Sequence, residues 1–192
     1  MNTTYVCFIL ALFFGANGLL EAQSKFFTKS GTIVFDAEGK LDDIEEIKAK
    51  NNSASCVMDA NTGQMEWAVS INKFTFRNSL MQKHFNENYL ESEKYPKATF
   101  KGKVNEIGKV NFSKDGTYPV SVTGTLNLHG VSKEVNFKGT IFIEKGVPRV
   151  NSDFEVLLKD YKIDIPTVVF LKVADSAKVT VSAQLEVLNT NK

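Results

Sequence analysis

Apolar side chains recur on every second position along most of this chain. Met65, Trp67, Val69 and Ile71 alternate with Glu66, Ser70 and Asn72. Ala98, Phe100, Gly102 and Val104 alternate with Thr99, Lys101 and Lys103, and Val120, Val122, Leu126 and Leu128 with Ser121, Thr123 and Asn127. Val135, Phe137, Ile141 and Ile143 repeat the pattern, as do Val150, Phe154 and Val156, and then Ala177 through Val187. Phe27, Gly31, Ile33 and Phe35 share one parity in the first such segment. Two is the period of a β-strand, whose successive side chains point to opposite faces. About eight such segments occur, each with one apolar and one wet face, which is the signature of antiparallel rather than parallel sheet. A curled sheet of this kind buries its apolar face and loses its open edges by closing on itself. The expected fold is all-β: an eight-stranded antiparallel barrel.

Two stretches break the period. Residues 78–90 (NSLMQKHFNENYL) put Leu80, Met81, His84, Phe85 and Tyr89 at helical spacings, with Asn78 or Ser79 as cap and Pro96 just beyond. Residues 166–172 (PTVVFLK) read as a short helical or irregular piece. Residues 42–50 are charged and fit one helical turn or a strand edge; residues 60–63 (ANTG) read as a turn, and residues 189–192 as a frayed tail.

The N-terminus differs from the rest. Residues 6–16 (VCFILALFFGA) carry no charge and are too short to span a bilayer, which needs about 20 apolar residues. Their length suits the core of a secretory signal, with Leu20-Glu21-Ala22 as a cleavage site. The expected organisation is a signal peptide at 1–22 and a single barrel domain at 23–192, placed in the periplasm or secreted. Cleavage after Ala22 removes one acid and no base, taking the formal charge from +1 to +2, and leaves Cys56 as the remaining cysteine. Cys56 shares a parity with Ala54 and Met58 and reads as a small buried hydrophobe. A charge so near neutral gives no basic surplus for nucleic acid. No integral membrane segment is expected once the signal is gone.

Chemistry is sparse. The two histidines, His84 and His129, have no ligand spacing with each other or with Cys56, so no metal and no cofactor is expected. His129 and Ser132 are three apart around Gly130, without the elbow that presents a nucleophilic serine; they read as a hairpin connection. Asp42-Asp43 and Glu45-Glu46 lie in a polar run, where carboxyls stay solvated. The inward parities instead carry Phe27, Phe35, Trp67, Phe100, Phe137 and Phe154. These rings either fill a solid interior or line a tunnel for an apolar ligand, and the residue pattern leaves both open.

Four passages carry a resemblance. Residues 89–102 (YLESEKYPKATFKG), residues 124–135 (GTLNLHGVSKEV), residues 153–156 (DFEV) with 161–163 (YKI), and residues 173–181 (VADSAKVTV) resemble, in order, motifs of the YceI-like family. The second is the most specific. The resemblance implies a lipocalin-like barrel exported to the bacterial periplasm, in which some members hold a long isoprenoid or amphiphilic lipid. Asn78 stands where an aspartate is common in that family. On that basis the chain is expected to be a non-enzymatic binding protein for an apolar or isoprenoid chain. The expected lining is Trp67, Val69, Phe100, Val122, Leu126, Phe137, Phe154 and Phe170. A homodimer sharing one occupant stays open.

Overall fold

The computed structural model describes residues 25–38, 47–165 and 173–188. The expected signal segment, Cys7, residues 42–46, Phe170 with the rest of 166–172, and the expected tail lie outside the described residues.

Among the described residues ten strands form one sheet: β1 (Lys25–Glu38), β2 (Lys48–Asp59), β3 (Gln64–Ser70), β4 (Thr75–Phe76), β5 (Lys97–Val104), β6 (Gly116–Leu128), β7 (Val131–Glu144), β8 (Val147–Leu157), β9 (Val173–Gln184) and β10 (Glu186–Val187). The order is β10-β1-β9-β8-β7-β6-β5-β3-β2-β4, and a further β1–β2 pairing closes it. Every pairing is antiparallel. The closed wall is thus the eight long strands, as the alternation implied. β4 and β10 are two-residue additions that pair with β2 and β1.

The inward parity of β1 is not uniform. Phe26 and Thr28 are buried at its start, and Gly31, Ile33 and Ala37 further on. The β1–β2 register shifts between Thr28 and Gly31 and again between Gly31 and Ile33. Such a bulge adds unpaired residues and resets which face each side chain takes. The expectation that Phe27 points inward is therefore corrected: Phe26 takes that place, and Phe27 is only half-buried.

The helical segment begins where its cap predicts. Asn78 Oδ1 accepts from Leu80 N (2.8 Å) and Met81 N (3.2 Å), starting α1 (Ser79–His84), which continues as a π-helical turn over Phe85–Tyr89. Two i, i+4 rows compete here, Leu80–His84 and Met81–Phe85–Tyr89. The second faces the barrel, because Phe85 seats among Phe35, Phe74 and Phe76 at ring-centroid distances of 5.7, 5.6 and 5.0 Å. Leu80 is 59% exposed and His84 also faces solvent, so neither belongs to the apolar face as the periodicity suggested.

The core divides along the barrel axis. At one pole Phe26, Met58, Val104, Val110, Ile141, Ile143 and Leu185 pack closely, with Phe26 stacked on Phe112 at 5.4 Å. This pole is plugged. At the other, Ile71, Phe74, Phe85, Leu90, Leu158, Tyr161 and Ile163 gather beneath α1. Buried Asn51 fixes the approach to that pole. Its Nδ2 donates to Ser70 O (2.9 Å), and its Oδ1 accepts from Ser53 N (2.8 Å) and Ser53 Oγ (2.9 Å).

Cys56 lies in the plugged half and is 1% exposed. Burial pushes its thiol up to about 12, against 9.0 for the free group. The thiolate forms in the unfolded chain from pH 9.0 upward but not in the folded one until about 12. Because the folded value is raised, this contribution to stability is complete below pH 9.0 and falls as pH rises through the window to about 12. The slope approaches roughly 1.4 kcal/mol per pH unit, the linkage of one proton. Denaturant midpoints measured from pH 8 to 11 should show this share of the decline in the parent protein and lack it in Cys56→Ala; identical slopes would refute it.

Candidate functional site

An elongated cavity of about 240 Å³ runs along the barrel axis. It begins above the plugged pole at Val104, Ile141 and Val150, and ends beneath α1 at Phe76, Met81, Ile163 and Ile165. On β6 alone its wall extends from Val120 to Leu128. The eight residue-to-residue steps at about 3.3 Å each, reduced by the usual strand tilt, make it roughly 20 Å long. So small a volume over such a length is a thin slot, suited to a single chain rather than a ring system.

The lining is almost wholly apolar. All seven expected lining residues that fall on described positions, Trp67, Val69, Phe100, Val122, Leu126, Phe137 and Phe154, are on this wall. Phe170, the eighth, lies outside the described residues. The helix row adds Met81, Phe85, Tyr89 and Leu90, and the segment after β8 adds Leu158, Ile163 and Ile165. These were missed because a period-two reading selects strand positions alone. The i, i+4 row through Phe85 was the signal that could have found the helix contribution.

Three rings narrow the waist. Phe137 stacks on Phe154 with centroids 3.8 Å apart and planes at 20°, and Phe100 approaches Phe137 at 6.1 Å. Phe100 lies over a glycine pair, Gly102 and Gly124, directly opposite each other on β5 and β6. A Cβ at Gly124 would stand 2.8 Å from the Phe100 ring and 2.3 Å from Lys101 O. The glycines therefore let the ring lie flat on the wall instead of crossing the slot.

The β6–β7 connection at His129 and Gly130 lies at the helix pole. Both residues have positive φ, +51° and +72°, as a two-residue primed turn requires. The hairpin reading holds, but His129 does more than turn the chain. Its Nδ1 is 3.0 Å from Tyr161 O and its Nε2 is 2.8 Å from Glu91 Oε2, with the Tyr95 ring edge-on at 4.6 Å. The imidazole, only 9% exposed, ties the hairpin to the segments after the π-helical turn and after β8. Ser132 does not join it; its Oγ accepts from Asn127 Nδ2 at 2.9 Å. His84 sits apart, with Nδ1 2.8 Å from Asn88 Nδ2. Among the described residues no group of three or more His, Cys, Asp or Glu could hold a metal, and no helix is long and apolar enough to cross a membrane.

The family model of the YceI-like domain matches residues 17–186. This chain belongs to the YceI-like family. Solved structures agree on the fold. A polyisoprenoid-binding domain from Saccharophagus degradans, implicated in plant cell wall breakdown, superposes with a TM-score of 0.73 at 15% identity, over 86% of this chain and 99% of that one. BcnA of Burkholderia cenocepacia gives 0.65 at 13% identity, covering 81% and 96%. The YceI protein of Campylobacter jejuni gives 0.59 at 19%, covering 77% and 89%. No curated protein matches the sequence. At these identities the neighbours establish the YceI-like barrel, while the ligand must be argued from this chain's own cavity.

Proposed function

We propose that this YceI-like protein is an exported, non-enzymatic carrier or store for a long hydrocarbon chain of isoprenoid type, held inside the barrel. The observation that carries this reading is the apolar slot running roughly 20 Å along the axis. The polyisoprenoid-binding name of the Saccharophagus domain supports the chain class. The uncharged run at residues 6–16 supports export to the periplasm after cleavage near Ala22.

Magnitudes narrow the ligand. A buried methylene contributes about 0.8 kcal/mol, and association costs at least about 4 kcal/mol. Micromolar binding is about 8 kcal/mol net, so a chain held by apolar contact alone needs on the order of 15 carbons. Affinity should therefore climb with chain length and respond little to the head group.

Volume favours a second reading. At about 240 Å³ the slot falls below the roughly 300 Å³ at which ligand pockets usually begin, and the Phe137–Phe154 stack already occupies its waist. On that reading the barrel is a structural or interaction module filled by its own rings. Trp67, the chain's one tryptophan, lies on the wall and separates the two. Titration with hexadecylamine dansylated at its amine, so that the fluorophore sits at the head and only the alkyl chain enters the slot, should give saturable energy transfer from Trp67, tighter for longer-chain analogues. No transfer at probe concentrations up to about 100 μM would favour the filled barrel.

A further inference from the structure

The barrel wall contains a fork. β7 and β8 pair from Glu144↔Val147 to Gly139↔Ser152, and there their ladder stops. Both strands continue. β7 runs back to Val131 with its other edge fully paired to β6, and β8 runs on to Leu157 with its other edge fully paired to β9. Residues 131–138 and 153–157 thus face each other as two strand edges that no ladder joins.

The fork is framed at both ends. At the base, Ser152 Oγ donates to Lys138 O at 2.7 Å, just beyond the last ladder pair. At the top, His129 meets Tyr161 O at 3.0 Å, tying the β6–β7 turn to the segment that follows β8. Between these ends the sides are bridged by the Phe137–Phe154 stack and the Lys133–Asp160 ion pair at 3.4 Å. A second hollow of about 150 Å³ lies there. Leu126, Phe137 and Val156 line it and the axial slot alike, while Glu134, Glu155 and Leu157 open it to solvent. Inward-facing Val135, Phe137 and Phe154 are only half-buried here, whereas Ile141, Ile143 and Val150 in the paired half are buried.

We propose that this fork is the lateral way in and out of the slot for a hydrocarbon chain, with Phe137 and Phe154 as its gate. The proposal rests on the chain-binding reading above. Separating the two edges breaks no backbone ladder bond, because each edge is held by its other neighbour. Among the described residues it requires that one ring stack slide apart and one exposed ion pair part. A chain can then pass sideways into the barrel while its polar head stays outside, so α1 and the helix pole need not unfold.

Cysteines introduced singly as Glu134→Cys and Glu155→Cys on the exposed rim, and Glu66→Cys on the outer face of β3 as control, can each carry a polyethylene-glycol maleimide. Buried Cys56 stays unlabelled in the folded protein. The readout is the rate at which hexadecylamine dansylated at its amine loads, followed by energy transfer from Trp67, together with uptake at equilibrium. Adducts at 134 and 155 should slow loading about tenfold or more, the adduct at 66 should leave it within about twofold, and Phe137→Leu should speed it severalfold. Equal loading rates for all three adducts, with equilibrium uptake intact, would overturn the lateral route and spare the binding function. Absence of uptake in the unmodified protein would overturn both.

Discussion

Gly124→Val should lower the melting temperature by about 10 °C or prevent folding altogether. The site has no room for a side chain: a Cβ meets Lys101 O at 2.3 Å, Gly102 Cα at 2.5 Å and the Phe100 ring at 2.8 Å. Two of those three atoms are backbone, so relief requires β5 and β6 to separate where they pair directly. Overpacking of this kind costs about 3 kcal/mol, and for a domain of this size each kcal/mol is roughly 2–4 °C. Gly102→Val should behave alike, since its Cβ meets Thr123 O at 2.3 Å. Gly108→Val is the control, because nothing lies within 4 Å of a Cβ there. Thermal unfolding followed by circular dichroism distinguishes the three; equal melting temperatures would contradict the packing described for the waist.

The second large effect is on binding. The pair of substitutions Val69→Phe and Val122→Phe adds two rings to the slot wall from β3 and β6, at half-buried positions that border open space. Because the rings enter space instead of packed core, stability should change by less than about 1.5 kcal/mol. Chain uptake should fall at least tenfold, about 1.4 kcal/mol. A barrel whose ligand binds on its outer face would keep its affinity. Parallel measurement of unfolding and of Trp67 energy transfer therefore locates the site and separates blockage from misfolding.

Much of the slot could be read from alternation, because an antiparallel wall with one wet face writes its inward positions into the chain as every second residue. Trp67, Val69, Phe100, Val122, Leu126, Phe137 and Phe154 lie on one wall for that reason. The first strand defeated the same logic. A bulge between Thr28 and Ile33 depends on the register with β2, which local periodicity does not contain, so Phe26 and Phe27 exchange places. Along the helix, Leu80 and Met81 are equally apolar, and the choice of row is made by the cluster that receives Phe85. Whether rings fill or line a barrel was beyond the pattern as well, because it depends on how each ring lies. Phe100 is flat over two glycines, whereas Phe137 and Phe154 meet across the fork. The ladder's end at Gly139↔Ser152 is a property of two strands diverging in space, and nothing in either strand alone marks it.

His129 shows how a residue can be placed correctly and still be underread. Its turn follows from its neighbours Gly130 and Leu128, but its partners, Glu91 and Tyr161, are 38 and 32 residues away. They become visible only when the hairpin end, the segment after the π-helical turn and the segment after β8 converge at one pole.

Native mass spectrometry of the protein, purified without detergent from the envelope of the cell that makes it, tests the proposed function most directly. A storage or carrier role predicts a mature chain, beginning near residue 23, with one additional hydrocarbon-rich mass per barrel, or one shared between two, released on unfolding. A chain of bare mass that also takes up no prenyl lipid from mixed micelles would contradict it.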